Sequence, residues 1–150
     1  VPSLLPGEKS RAVAGHALLF EEFCTTRKLQ LNLAPLKKRV LVHSHCHQKA
    51  FNTVGGLAST LNMIPGLEVE FVDSGCCGMA GVFGYGADTY DISMQMGELS
   101  LFPTVRREPE TTIIVADGSS CRHQIEHGTS RRACHTARVL QHALAQEPDR

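Results

Sequence analysis

Three short apolar runs, Val40-Leu41-Val42, Leu67 to Val72 and Thr111 to Ala116, each lead straight into a segment that carries cysteine. Between them lie stretches with helical spacing. Ala50, Val54, Leu57 and Leu61 recur along Lys49 to Met63 until Pro65-Gly66 stops the pattern, and Ile92, Met96 and Leu99 share a face after Asp88, a candidate cap, with Pro103 marking an end or a bend. Strands alternating with helices of this length require crossover connections. The expectation is therefore an α/β fold with a mainly parallel sheet flanked by helices. In such sheets the loops leaving the carboxyl ends of the strands line one edge, where ligands usually bind. Topology alone should then gather Cys46, Cys76, Cys77 and Cys121 at that edge.

Two further helices are expected. One runs from Gly15 to Arg27, with Leu19, Phe20, Phe23 and Cys24 on its apolar face; the other closes the chain from Arg131 to Ala145, with Ala133, Ala137, Leu140 and Leu144 as its stripe. The polar tail, Gln146 to Arg150, shows no further element. Residues 1–38 read as an N-terminal helical segment packing on a cysteine-rich domain over 39–150, and a start at Val1 suggests an excised carboxyl-terminal piece of a longer protein.

At 150 residues and 42% hydrophobic content the chain can bury a core without disulfide staples, so in a reducing compartment its six cysteines favour ligand chemistry over disulfides, with Cys46, Cys76, Cys77 and Cys121 as the ligand set. Cys76 and Cys77 are poor partners for each other, since adjacent Cα atoms stand about 3.8 Å apart and a relaxed disulfide needs roughly 4.4 to 6.8 Å. Fifteen basic residues balance fifteen acidic ones, so no net field draws a nucleic acid or an anionic membrane. No apolar run approaches the roughly 20 residues of a membrane span. A cytoplasmic location, extending to the periphery of the inner membrane, is expected.

Thiolate is the ligating form, and backbone donors in glycine-rich turns or at helix starts favour it. Gly75, Gly78 and Gly81 let backbone approach the site, and Lys49 adds positive charge. His43, His45 and His47 alternate around Cys46, so an extended segment would project them to one side and Cys46 to the other. His45 and His47 are auxiliary ligand candidates, as is His123, two residues after Cys121. Cys24 and Cys134 read as structural thiols, and His16, His127, His135 and His142 as ordinary side chains. No dinucleotide fingerprint, P-loop or Cys-x-x-Cys redox pair occurs.

The set His45-Cys46-His47, Gly75-Cys76-Cys77-Gly78 and Cys121 resembles the cysteine-rich CCG domain found in heterodisulfide reductase and in the iron-sulfur subunits of glycolate and lactate oxidases, over roughly residues 39–128. The longer strings from His45 to Ala50, Gly75 to Gly84 and Asp117 to Arg122 are similar to the carboxyl-terminal part of fused FAD-linked oxidases acting on D-2-hydroxy acids. The resemblance implies an electron-transfer role, with a 4Fe-4S cluster on Cys46, Cys76, Cys77 and Cys121. FAD and further iron-sulfur motifs would belong to other parts of the parent protein, which would pass electrons to an acceptor. Family members often continue the last motif as Cys-x-x-Cys, supplying a fifth thiolate for a noncubane cluster, but Gln124 stands there in this chain. Four thiolates suit an ordinary four-iron cluster or a tetrahedral zinc site in a docking domain.

Overall fold

The computed structural model describes residues 2–144; the polar tail and the last residue of the expected closing helix lie outside them. Four strands, β1 (Arg39–Val42), β2 (Glu68–Phe71), β3 (Ile113–Val115) and β4 (Ala133–Cys134), form one sheet in the order β2-β1-β3-β4. Every pairing is parallel: Val40 stands beside Val69 on one side and Ile113 on the other, and Val115 beside Cys134. The α/β expectation holds. The central strand β1 is apolar on both faces because both are covered. Leu41 joins a core with Phe102, Val105, Ile114 and Ile125, whereas Val40 and Val42 join a second core with Leu57, Leu61, Val139 and Leu140.

The eight α-helices among the described residues are α1 (Glu8–His16), α2 (Phe20–Thr26), α3 (Cys46–Ala50), α4 (Val54–Leu61), α5 (Tyr90–Glu98), α6 (Leu101–Arg107), α7 (Ser119–Thr129) and α8 (Thr136–Ala143). Pro103 is the third residue of α6, where its missing N–H needs no helical partner, so it starts a helix rather than ending or bending one.

Several boundaries differ from expectation for identifiable reasons. The helix expected over Gly15 to Arg27 is two helices, since Leu19 donates its N–H to the Glu22 carboxylate at 2.8 Å and so opens α2 afresh. Within α2 the buried residues are Glu21 and Cys24, and Leu19, Phe20 and Phe23 stay half exposed. The helix expected over Lys49 to Met63 begins earlier, at Cys46, and breaks after Ala50, where Asn52 adopts a φ of 55°. Ala133 and Cys134 form a strand instead of the first turn of the closing helix, because the Ala116 N–H is satisfied by the Cys134 carbonyl at 3.0 Å.

Helix α5 is turned from its apolar stripe: Ser93 and Gly97 are buried, whereas Ile92 and Leu99 are exposed. Phe102, fully buried, lies against Gly97 and Gly128 and leaves no room for larger side chains there. Asp88 makes no cap; Thr89 occupies that position.

Candidate metal centre

The carboxyl ends of β1, β2 and β3 deliver the cysteines to one rim of the sheet. After Val42 the chain runs extended through His45 and turns into α3 at Cys46. His45 starts that helix: its Nδ1 accepts the His47 N–H at 3.2 Å, and its own N–H goes to Gln48 Oε1 at 2.9 Å. Beyond β2, Val72 still donates to the Val42 carbonyl, and the chain then enters the Gly75-Cys76-Cys77-Gly78 turn. Cys121 sits not in a loop but in the first turn of α7.

Cys46, Cys76 and Cys77 line a cavity of about 260 Å³, closed on its other sides by His45, Gly81 and Ser120. Cys77 and Cys121 are buried, and with His43 they bring three ligating atoms within 4.8 Å of one another. His43 Nδ1 lies 3.0 Å from Ser74 Oγ, while His43 Nε2 is buried without a partner among the described residues. An orphaned imidazole nitrogen beside two buried sulfurs is costly unless something fills the site.

The electrostatics match a ligand set. The Cys121 thiol donates to Cys77 and holds the Cys77 sulfur well below the usual thiol range, aided by His43 and the Met79 N–H. The same contact, with burial and the nearby sulfurs of Cys46 and Cys76, pushes Cys121 up. Burial likewise raises Cys76, against the Gly78 N–H that reaches its Sγ at 3.4 Å. Cys77 therefore already favours the anionic form that binds metal. Burial, with His47 close by, lowers His45 and favours its neutral imidazole.

The other expected ligands fare differently. The helix begins at Cys46, so the three histidines do not share one side: His43 turns inward, whereas His45 and the exposed His47, their rings 5.0 Å apart, both line the cysteine cavity. His43 alone joins the buried sulfurs. His123 is exposed and does not line the cavity; its Nδ1 lies 3.4 Å from the Tyr85 hydroxyl. Cys24 and Cys134 do not line the cavity. Lys49 reaches the Ser74 carbonyl at the edge of the cysteine turn.

Three polar residues that support the centre are not apparent from the sequence. Gln124 is buried and donates to Ser93 Oγ at 2.9 Å and to the Ser93 carbonyl at 3.2 Å, and the Ser93 hydroxyl donates to the Gly78 carbonyl at 2.9 Å. The residue in place of a fifth cysteine thus ties α7 and α5 to the cysteine turn. Asp117, expected only as part of a turn, accepts from Thr136 N and Oγ1 at 2.9 and 2.8 Å and from Gln48 Nε2 at 3.1 Å. It braces the start of α8 and α3 behind Cys46. The position of Gln124 three residues after Cys121, one helical turn on, was the available signal.

No family model matches the chain, and no solved structure matches it. Among curated proteins it is 36% identical over 115 residues to a subunit of the anaerobic glycerol-3-phosphate dehydrogenase of Escherichia coli K12, covering 77% of this chain and 28% of that protein. It is 35% identical over 75 residues to D-2-hydroxyglutarate dehydrogenase of the same organism, half of this chain and 7% of the relative. The Pseudomonas putida protein of that name is 34% identical over the same length. The chain spans about a quarter of the length of the first of these relatives. No helix among the described residues is long and apolar enough to cross a membrane. The chain is thus similar to a portion of each of two kinds of dehydrogenase protein.

Proposed function

We propose that this chain is an iron-sulfur electron-transfer domain of an FAD-linked dehydrogenase, with Cys46, Cys76, Cys77 and Cys121 holding a 4Fe-4S cluster. The observation that carries the reading is that Cys46, Cys76 and Cys77 line one cavity of about 260 Å³ at the rim of the sheet, while buried Cys121 and an orphaned His43 nitrogen lie close behind Cys77. That volume is several times the roughly 30 Å³ share of one water, which suits a multi-atom group better than a single ion. Four thiolates match the ligand number of such a cluster. When bound, it would take up and release single electrons.

The chain's own residues supply the setting. The N–H groups of Gly78 and Met79 point at sulfur and stabilise negative charge there, and the His43 imidazole lies beside Cys77. Burial of Cys77 and Cys121 keeps water from that side, while Cys46 and Cys76 are half-buried and face outward. The exposed side is where electrons would enter or leave.

The fuller reading assigns the parent protein an FAD domain and further iron-sulfur motifs as partners, with an acceptor still to be identified. Its substrate would be a small anionic hydroxy compound of the D-lactate, glycolate or D-2-hydroxyglutarate class. The names of the relatives support an anionic hydroxy substrate and widen the class to glycerol 3-phosphate. Residues 1–38 would be a helical segment on the 39–150 domain, a division supported by α1, which buries no residue. Against a sharp boundary, Ala34 donates to the Ala143 carbonyl at 2.7 Å and ties the segment in.

One observation favours a second reading, a zinc-stabilised docking domain without redox activity. His43, Cys77 and Cys121 form a compact mixed nitrogen and sulfur group, a donor set that suits zinc. Metal and sulfide analysis of protein prepared without oxygen separates the two. Iron and acid-labile sulfide in equal amounts, with a brown colour that bleaches reversibly on reduction, support the cluster. Colourless protein holding one zinc per chain rejects it.

A further inference from the structure

A second group of ligating side chains lies on the opposite side of His45 from the cysteine cavity. Glu21 of α2, Asp117 after β3 and His135 after β4 bring three ligating atoms within 4.8 Å of one another. They open onto a separate cavity of about 740 Å³, walled by Phe20, Phe51 and His45. Glu21 is only 4% exposed, and its Oε1 is buried without a hydrogen-bond partner among the described residues. The Glu21 and Asp117 carboxyl groups thus face each other within 4.8 Å, although neither ionised group can donate a hydrogen bond to the other.

We propose that Glu21, Asp117 and His135 bind a divalent transition-metal ion of the Mn²⁺ or Fe²⁺ kind, distinct from the cysteine centre. Two facing carboxylates out of water need a cation between them or a proton on one. Several features favour the cation. Asp117 is already oriented by Thr136 and Gln48, as ligating carboxylates usually are by hydrogen bonds from their surroundings. The Glu21 oxygen that lacks a partner is free to ligate. The adjoining cavity gives an entry path and room for waters to complete the coordination.

His135 Nδ1 lies 3.6 Å from Asp117 Oδ1 and now accepts the Ala137 N–H at 3.1 Å, at the start of α8. An ion would compete with that N–H for the same lone pair. The carboxylates therefore carry the site and the imidazole completes it. Two carboxylates and one imidazole suit Mn²⁺ or Fe²⁺ better than the softer ions that thiolates select. The ion would pin α2 to the rim of the sheet and, through Gln48, to the helix that Cys46 begins.

Titration of the full chain with Mn²⁺, followed by EPR, tests the site without relying on any enzymatic activity. One Mn²⁺ per chain is expected, with affinity lowered more than about tenfold in Glu21→Gln and in Asp117→Asn. Glu21→Gln keeps the shape of the side chain and breaks no hydrogen bond of Oε1, and its circular dichroism should match the wild type. Mn²⁺ should also raise the melting temperature of the wild type and leave that of Glu21→Gln unmoved. Cys76→Ser should bind the ion as the wild type does, whatever the cysteines hold. No stoichiometric uptake would show that the pair shares a proton and would overturn the proposal. So would uptake unchanged in Glu21→Gln, or uptake lost in Cys76→Ser.

Discussion

Gly78, the glycine that follows the paired cysteines, should tolerate no side chain, and three alanine substitutions show why. Its φ is 102°, a conformation that costs an L-residue about 1–3 kcal/mol. A Cβ built there would stand 2.2 Å from the Ser93 carbonyl oxygen and 3.0 Å from its carbon. The obstacle is helix backbone at the buried Ser93, so it cannot swing aside, and relief by shifting α5 costs roughly 1–3 kcal/mol more. The sum for Gly78→Ala is roughly 2–6 kcal/mol. Gly81 has a φ of 68° with nothing within 4 Å of an added Cβ, so Gly81→Ala should cost only about 1 kcal/mol. Gly75 has neither obstacle, and Gly75→Ala should fall within about 0.5 kcal/mol of the wild type. Urea unfolding of the three variants at one pH reads the series. Gly78 also donates to Cys76 and accepts from Ser93, so its variant should lose bound metal along with stability. A Gly78→Ala protein within about 1 kcal/mol of Gly75→Ala would refute this account of the turn.

Burial, Asp117 and Glu22 raise the Glu21 carboxyl from 4.5 to about 7. In metal-free protein the folded chain therefore keeps a proton that the unfolded chain has lost, and stability should fall as pH rises from 4.5 to 7, by at most roughly 3 kcal/mol. Because water reaches the adjoining cavity, roughly half of that is the more realistic slope, and it should vanish in Glu21→Gln, as read by urea midpoints across that range. Gln124→Leu should lower stability by about 1–3 kcal/mol by removing the donor to Ser93, yet keep its metal, since Gln124 supplies no thiolate. Leu41→Ala, in the fully buried central strand, should cost about 2–5 kcal/mol in the same assay.

The parallel sheet and the gathering of four cysteines were legible in the sequence because both follow from topology. A β-branched run such as Ile113-Ile114-Val115 has few alternatives, and each of the first three strands ends where a cysteine segment begins. The orientation of the short helices was not legible. In α2 and α5 the chain buries Glu21, Cys24, Ser93 and Gly97 and leaves Phe23, Ile92 and Leu99 outward, because partners outside each helix, Asp117, Gly78 and Phe102, decide the buried face. The two-residue strand β4 is too short to show any alternation. His43 stands among alternating histidines in the sequence, but the turn into α3 after it, set by the His45 and Gln48 caps, separates it from His47 and sends it inward. The Gln48 to Asp117 hydrogen bond spans 69 residues, and no local pattern announces it.

The central claim is that four particular sulfurs hold one redox centre, and iron and sulfide content across the six single Cys→Ser variants, prepared without oxygen, tests it most directly. Loss of cluster in the variants at Cys46, Cys76, Cys77 and Cys121, with full content at Cys24 and Cys134, is the predicted result. Full content in any of the first four, or dependence on Cys24 or Cys134, would contradict it.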